Sequence, residues 1–175
     1  TARSALNERQ RTIVGHFRHE TGHFFWDRLL KHLPLGGYFH EIFGEEKYEY
    51  RRSLNNYYEK GPPRNWHDGF ISAYATSHPS EDWAETWNHY LLICECLQTA
   101  HAVGMLDPDP AALTLREKLR NWSRLAVTLN QLNRSIGLGD AYPFVITRRI
   151  EEKLNYVAAI ISSYKESTIS YEISG

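Results

Sequence analysis

Five residues near the start of the chain, His19-Glu20-Thr21-Gly22-His23, have the types and spacing for metal chemistry. On a helix, positions four apart lie one turn up the same face, so both imidazoles can reach one ion. Glu20 follows the first histidine by one residue and is rotated around the helix axis. Its carboxylate then stands beside the ion rather than on it, where a base takes a proton from an activated water. Ligand type and metal availability favour zinc; the spacing by itself does not select zinc over manganese or cobalt.

A catalytic zinc takes three protein donors and keeps one position for water. The third donor is expected from a second helix that crosses the first. The helix predicted from Pro79 offers Glu81, Asp82 and Glu85, with Glu81 and Glu85 one turn apart on one face. Trp83 and Trp87 lie on another face that reads as core. Two carboxylates turned inward beside aromatic core need compensating charge, which a metal and its histidines supply. One of the pair can bind the ion, and the other can accept the free N–H of a ligating histidine and orient its ring. Tyr74, seven residues before Glu81, is a candidate donor to the oxyanion formed as water attacks a carbonyl. The remaining histidines His16, His40, His67, His78 and His89 read as packed or capped groups, with His16 and His89 nearest the motifs by spacing.

The elements that must position these groups are helices. The first is predicted over residues 8–33, capped by Asn7 and stopped by Pro34 and Gly36-Gly37. Ile13, Phe17, Phe24, Leu29 and Leu30 recur at helical spacing, so this helix is expected to be buried, with its charged groups carried inward. A half-exposed helix is expected over 44–60, a loop over 61–69 and an extended segment over 70–76. Pro79 opens the helix to Ala102, with proline early and acids in the first turn. A turn-rich link over 105–110 leads to a helix over 111–136, ended by Gly137 and Gly139, and a last helix spans roughly 147–165. The polar tail over 166–175 alternates Ile169, Tyr171 and Ile173 and reads as a strand, a tag remnant or a disordered end. The fold class is therefore mainly α, a helical domain with little or no sheet.

At 175 residues the chain suits one domain spanning 1–175. Lys+Arg 20 against Asp+Glu 21 leaves a net charge of -1, which gives no footprint for nucleic acid or an anionic membrane. No apolar run reaches the length of a membrane span. The two cysteines, Cys94 and Cys96, point different ways on a helix and read as small buried hydrophobes in a reducing compartment, so the expected location is cytoplasmic. Oligomeric state is not encoded in any pattern seen. The chain opens on Thr1 rather than Met, so a fragment lacking an upstream region is expected.

The run from His19 to His23, followed by Tyr74-Ala75-Thr76-Ser77-His78-Pro79-Ser80-Glu81-Asp82-Trp83-Ala84-Glu85, resembles zincin metallopeptidases of the lethal-factor type. That resemblance implies Glu81 as third zinc ligand, Glu85 as the carboxylate holding a ligand histidine and Tyr74 as helper in the transition state. Asp82 stands where that pattern carries an aromatic. Further words cover most of the chain: Gly15-His16-Phe17-Arg18, Trp26-Asp27-Arg28-Leu29, Glu85-Thr86-Trp87, Leu129-Asn130-Gln131-Leu132-Asn133-Arg134-Ser135 and Tyr142-Pro143-Phe144-Val145. These are similar to a bacterial family of zinc-binding metallopeptidases named for its motif, whose members carry upstream sequence with a zinc-ribbon-like part. The resemblance implies zinc at His19, His23 and Glu81 and hydrolysis of a peptide or protein substrate with Glu20 as general base; charge and hydropathy, as above, point to no nucleic-acid or membrane partner. A non-catalytic zinc-stapled module that binds a protein partner is the alternative. It would close the site with a fourth ligand such as His16, His78 or His89.

Overall fold

Thr12 starts the first helix, α1 (Ile13–Phe25), its hydroxyl accepting the Gly15 N–H at 3.0 Å. The computed structural model of the protein describes residues 12–26, 28, 37–45 and 49–173, with side chains through 164. Asn7, Leu29, Leu30, Pro34 and Gly36, singled out above as cap, core and stop, lie outside the described residues. α1 is followed by α2 (Phe39–Phe43), α3 (Tyr50–Lys60), α4 (Pro79–Ala102), α5 (Leu115–Ser135) and α6 (Arg148–Ile173). Short 3-10 turns occupy Trp66–Asp68, Tyr74–Ser77 and Pro110–Ala112, and there is no strand among the described residues. The protein is mainly α.

The burial expected for α1 is wrong in its face. Ile13, Phe17 and Phe24 are 91%, 68% and 55% exposed, while Gly15, His19 and Gly22 are buried. Proximity to α4 is the reason. A Cβ at Gly22 would stand 3.0 Å from the Ala84 Cα and 3.2 Å from the Trp87 Cβ, so only small residues fit along the line of contact. The imidazole that shares this face has carboxylates to meet, and a satisfied polar group is as much at home inside as an apolar one.

Residues 70–76, expected to be extended, bend into the Tyr74–Ser77 turn. Ser72 Oγ accepts the Ala75 N–H at 3.2 Å and Thr76 Oγ1 donates to the Ala73 carbonyl at 2.7 Å. Such local bonds offer the backbone an alternative to a strand ladder. The tail differs as well: the α6 backbone stays helical to Ile173, where a strand, tag or disordered end was expected. A helix closes its own hydrogen bonds and needs no neighbouring strand.

The chain divides into two compact units, Thr1–His89 with Ile146–Gly175, and Tyr90–Val145. In the first, Trp83 and Trp87 of α4 are buried, as their spacing predicted, and their ring centroids lie 5.6 Å apart. Phe43 of α2 packs edge-on to Trp83 at 5.8 Å and to Tyr156 of α6 at 5.8 Å, and Ile150, Leu154, Val157 and Ile160 complete the buried face of α6. A buried ion pair joins α6 to α4 here, with Lys153 Nζ donating to Asp82 Oδ2 at 2.6 Å and to the Gly69 carbonyl at 2.5 Å. In the second unit Thr114 and Glu117 form a reciprocal cap at the start of α5, and Gly137 (φ +81°) ends it. The Asn130 side chain brackets Tyr142, donating to its carbonyl at 2.8 Å and accepting its N–H at 2.9 Å. Cys94 and Cys96 are half-buried and not joined in a disulfide. No helix among the described residues is long and apolar enough to cross a membrane.

Candidate metal centre

His19 and His23 project from α1 toward Glu81 in the first turn of α4, and the three offer donor atoms within 4.8 Å of one another. The Nε2 atoms of the two histidines are 3.2 Å apart. Glu81 Oε2 lies 3.1 Å from His19 Nε2, and Oε1 lies 3.3 Å from His23 Nε2. A tetrahedral zinc with bonds of about 2.0–2.1 Å sets neighbouring donors ~3.3–3.4 Å apart. Each of these separations is close to that spacing, the two from Glu81 being measured from its two different oxygens. Glu81 is 1% exposed, and its Oε2 makes no hydrogen bond. A buried carboxylate oxygen left in that state is costly unless a cation meets it. The donor set therefore fits a zinc ion.

The surroundings hold these donors in place. His19 Nδ1 is 2.7 Å from Glu85 Oε1, so Nδ1–H donates to that carboxylate and, in the neutral ring, the Nε2 lone pair faces the cluster. Ser72 Oγ donates to Glu85 Oε2 at 2.6 Å and so fixes the second oxygen. Tyr50 Oη donates to Glu81 Oε1 at 2.6 Å. The two helices are tied by indole bonds, from Trp83 Nε1 to the Gly22 carbonyl at 2.9 Å and from Trp87 Nε1 to Thr21 Oγ1 at 3.2 Å.

Charge is concentrated at the site. Burial works against protonation of His19, but hydrogen bonds and charge from Glu81 and Glu85 outweigh it and raise its pKa to about 10. Glu81 resists the upward push of burial because the His19 and His23 imidazoles and the Tyr50 hydroxyl beside it favour its charged form, which holds it well below the usual carboxylate range. Glu85 is lowered too, burial being overcome by His19 first and also by His89 and Ser72. Burial and the Glu81 charge raise the phenols of Tyr50 and Tyr74, so both remain protonated donors.

Each predicted residue can now be located. His19, His23 and Glu81 come together, and Glu85 sits on the far nitrogen of His19. Glu20 points outward, its side chain 57% exposed, with Oε1 3.7 Å from His16 Nδ1 and its charge felt at the Tyr50 phenol. The Tyr74 ring lies 6.1 Å from the His19 ring, and the Glu81 charge acts on its phenol. Asp82 turns away to Lys153; burial pushes its carboxyl up to about 7 against the pull of that lysine. Among the remaining histidines, His78 Nδ1 is 2.7 Å from Ser80 Oγ. His89 is fully buried, and its pKa is lowered to about 4 by burial, the Glu85 charge opposing. None of His16, His78 or His89 joins the triad of donors among the described residues. Sequence reasoning missed Tyr50 and Ser72. No spacing rule links either to its carboxylate, 31 and 13 residues away.

A profile of the family described as "putative zinc-binding metallo-peptidase" matches residues 1–160. The chain belongs to this family. Uncharacterized proteins of Mycobacterium bovis (strain AF2122/97) and Mycobacterium tuberculosis (strains CDC 1551 and H37Rv) are each 38% identical to it over 170 residues, covering 91% of this chain and 49% of theirs. The chain thus spans about half the length of the curated relatives it matches. No solved structure matches it.

Proposed function

We propose that the chain forms the catalytic centre of a zinc-dependent peptidase, with His19, His23 and Glu81 holding the ion and Glu20 as general base. The observation that carries this reading is the convergence of two Nε2 atoms, 3.2 Å apart, on the Glu81 carboxylate, one oxygen of which lies 3.1 Å from His19 and the other 3.3 Å from His23, with no fourth protein donor among the described residues. A structural zinc site closes with four protein ligands, whereas a catalytic one keeps a place for water. Family membership supports the zinc and the peptidase class. Bound there, zinc would supply Lewis acidity, lowering the pKa of water toward about 7 and polarising a carbonyl.

The side chains then divide the work. Glu20, one residue from a ligand and open to solvent, takes a proton as the water oxygen bonds to the peptide carbon. It returns that proton to the amine as the C–N bond breaks. Tyr74, kept protonated by burial and the nearby Glu81 charge, donates to the carbonyl oxygen as it gains negative charge. Glu85 holds the His19 ring so that Nε2 stays turned to the ion. The substrate class is peptide or protein.

Zinc content and cleavage of an unfolded protein substrate test this together. Wild-type chain should take up one zinc and cleave. Glu20→Gln should keep the zinc and cleave at least ~100-fold more slowly, and His23→Ala should lose both. Cleavage by Glu20→Gln at the wild-type rate would refute the assignment.

A further inference from the structure

We infer that Tyr50 is a positioning residue for the metal carboxylate: its hydroxyl occupies Oε1 of Glu81, so that Glu81 turns one oxygen, Oε2, to the ion. This rests on the zinc reading above. The two oxygens of Glu81 stand in different circumstances. Oε1 accepts the Tyr50 hydroxyl at 2.6 Å, while Oε2, 3.1 Å from His19 Nε2, accepts no hydrogen bond. Oε1 also lies 3.3 Å from His23 Nε2, near enough to chelate the same ion if released. A short bond from a hydroxyl to a carboxylate is among the stronger hydrogen bonds, and it sets the terminal torsion of a glutamate, which is otherwise broad. Chelation by both oxygens would have to break it. A one-oxygen donor leaves the ion with three protein atoms and a place for water.

Tyr50 suits this role by its place in the fold. It is the first residue of α3, and the Tyr74–Ser77 turn that carries the other phenol packs against the same helix. Its ring lies edge-on to His78 at 5.2 Å and is 44% exposed, so it braces Glu81 from the open side of the site without forming part of the core. The Tyr74 phenol interacts electrostatically with both Tyr50 and Glu81, so a double variant removes it as a substitute.

The test uses cobalt as the probe. Wild type, Tyr50→Phe and the double variant Tyr50→Phe/Tyr74→Phe are stripped of metal, checked for fold by circular dichroism and titrated with Co2+. The intensity of the visible d–d band falls severalfold when four-coordinate cobalt becomes five-coordinate. At saturating metal, Tyr50→Phe or the double variant should show that fall, with affinity weakened about tenfold. Spectra of both variants superimposable on wild type, at whatever affinity, overturn the inference. A wild-type chain that takes up no cobalt sinks the zinc reading, and this inference with it, which separates that failure from the role of Tyr50.

Discussion

Gly22 bears directly on the geometry of the candidate metal centre, because it sets how closely α1 lies on α4. In Gly22→Ala the new Cβ would stand 3.0 Å from the Ala84 Cα and 3.2 and 3.3 Å from the Trp87 Cβ and Cδ1. Comfortable carbon contacts lie at about 3.5–4.0 Å, so α1 must retreat by roughly 0.5–1 Å. Two of the three atoms met are backbone or Cβ, which cannot rotate away. Overpacking of this kind costs about 1–3 kcal/mol, and the better helix propensity of alanine returns up to ~1 kcal/mol of it. Stability alone is therefore a weak readout. The retreat also separates both imidazoles from Glu81, now 3.1 and 3.3 Å from them, and stretches the bond from Trp83 Nε1 to the Gly22 carbonyl. Zinc sites tolerate about ±0.2 Å in their bonds. Zinc affinity, measured by competition with a chromophoric chelator, should fall at least ~10-fold, while the helical circular dichroism signal is retained. A variant that binds zinc within twofold of wild type, with the same denaturation midpoint, would refute the idea that this contact sets the donor spacing.

Ser72→Ala should release one oxygen of Glu85 and loosen His19, lowering zinc affinity about tenfold with little change in unfolding; Ser72→Thr should restore it, and equal affinity in all three chains would exclude the role. His89 makes a prediction about acid. Its pKa falls from 6.5 unfolded to about 4 folded, so its contribution is fully present above 6.5 and is lost as pH falls toward 4. At ~1.4 kcal/mol per unit, wild type should lose about 3 kcal/mol more than His89→Gln between pH 7 and 4. Taking the difference between chains removes the opposite trend from Asp82, whose raised carboxyl favours the folded state as pH falls. Parallel urea-unfolding profiles across that range would contradict the burial argument.

Much of the site is written in local order. The four-residue step from His19 to His23 becomes a shared helical face wherever the segment is helical, and Trp83 and Trp87 turn to the core by the same periodicity. The helical class, the start of α4 at Pro79 and the end of α5 at Gly137 are likewise matters of neighbouring residues. The misreadings arose where a local pattern met a distant partner. Ile13, Phe17 and Phe24 have the spacing of a buried stripe, yet α1 buries the glycine and histidine side, because that is the side α4 can approach.

Residue types and spacing alone determined that two imidazoles share a face, since a helix converts separation along the chain into direction. Only the tertiary structure decided which acid they meet, which phenol braces it and which hydroxyl steadies Glu85. Those choices depend on how closely and at what angle two helices cross, and that is set by the Gly22 to Ala84 contact and the indoles that lock it, not by any interval in the chain.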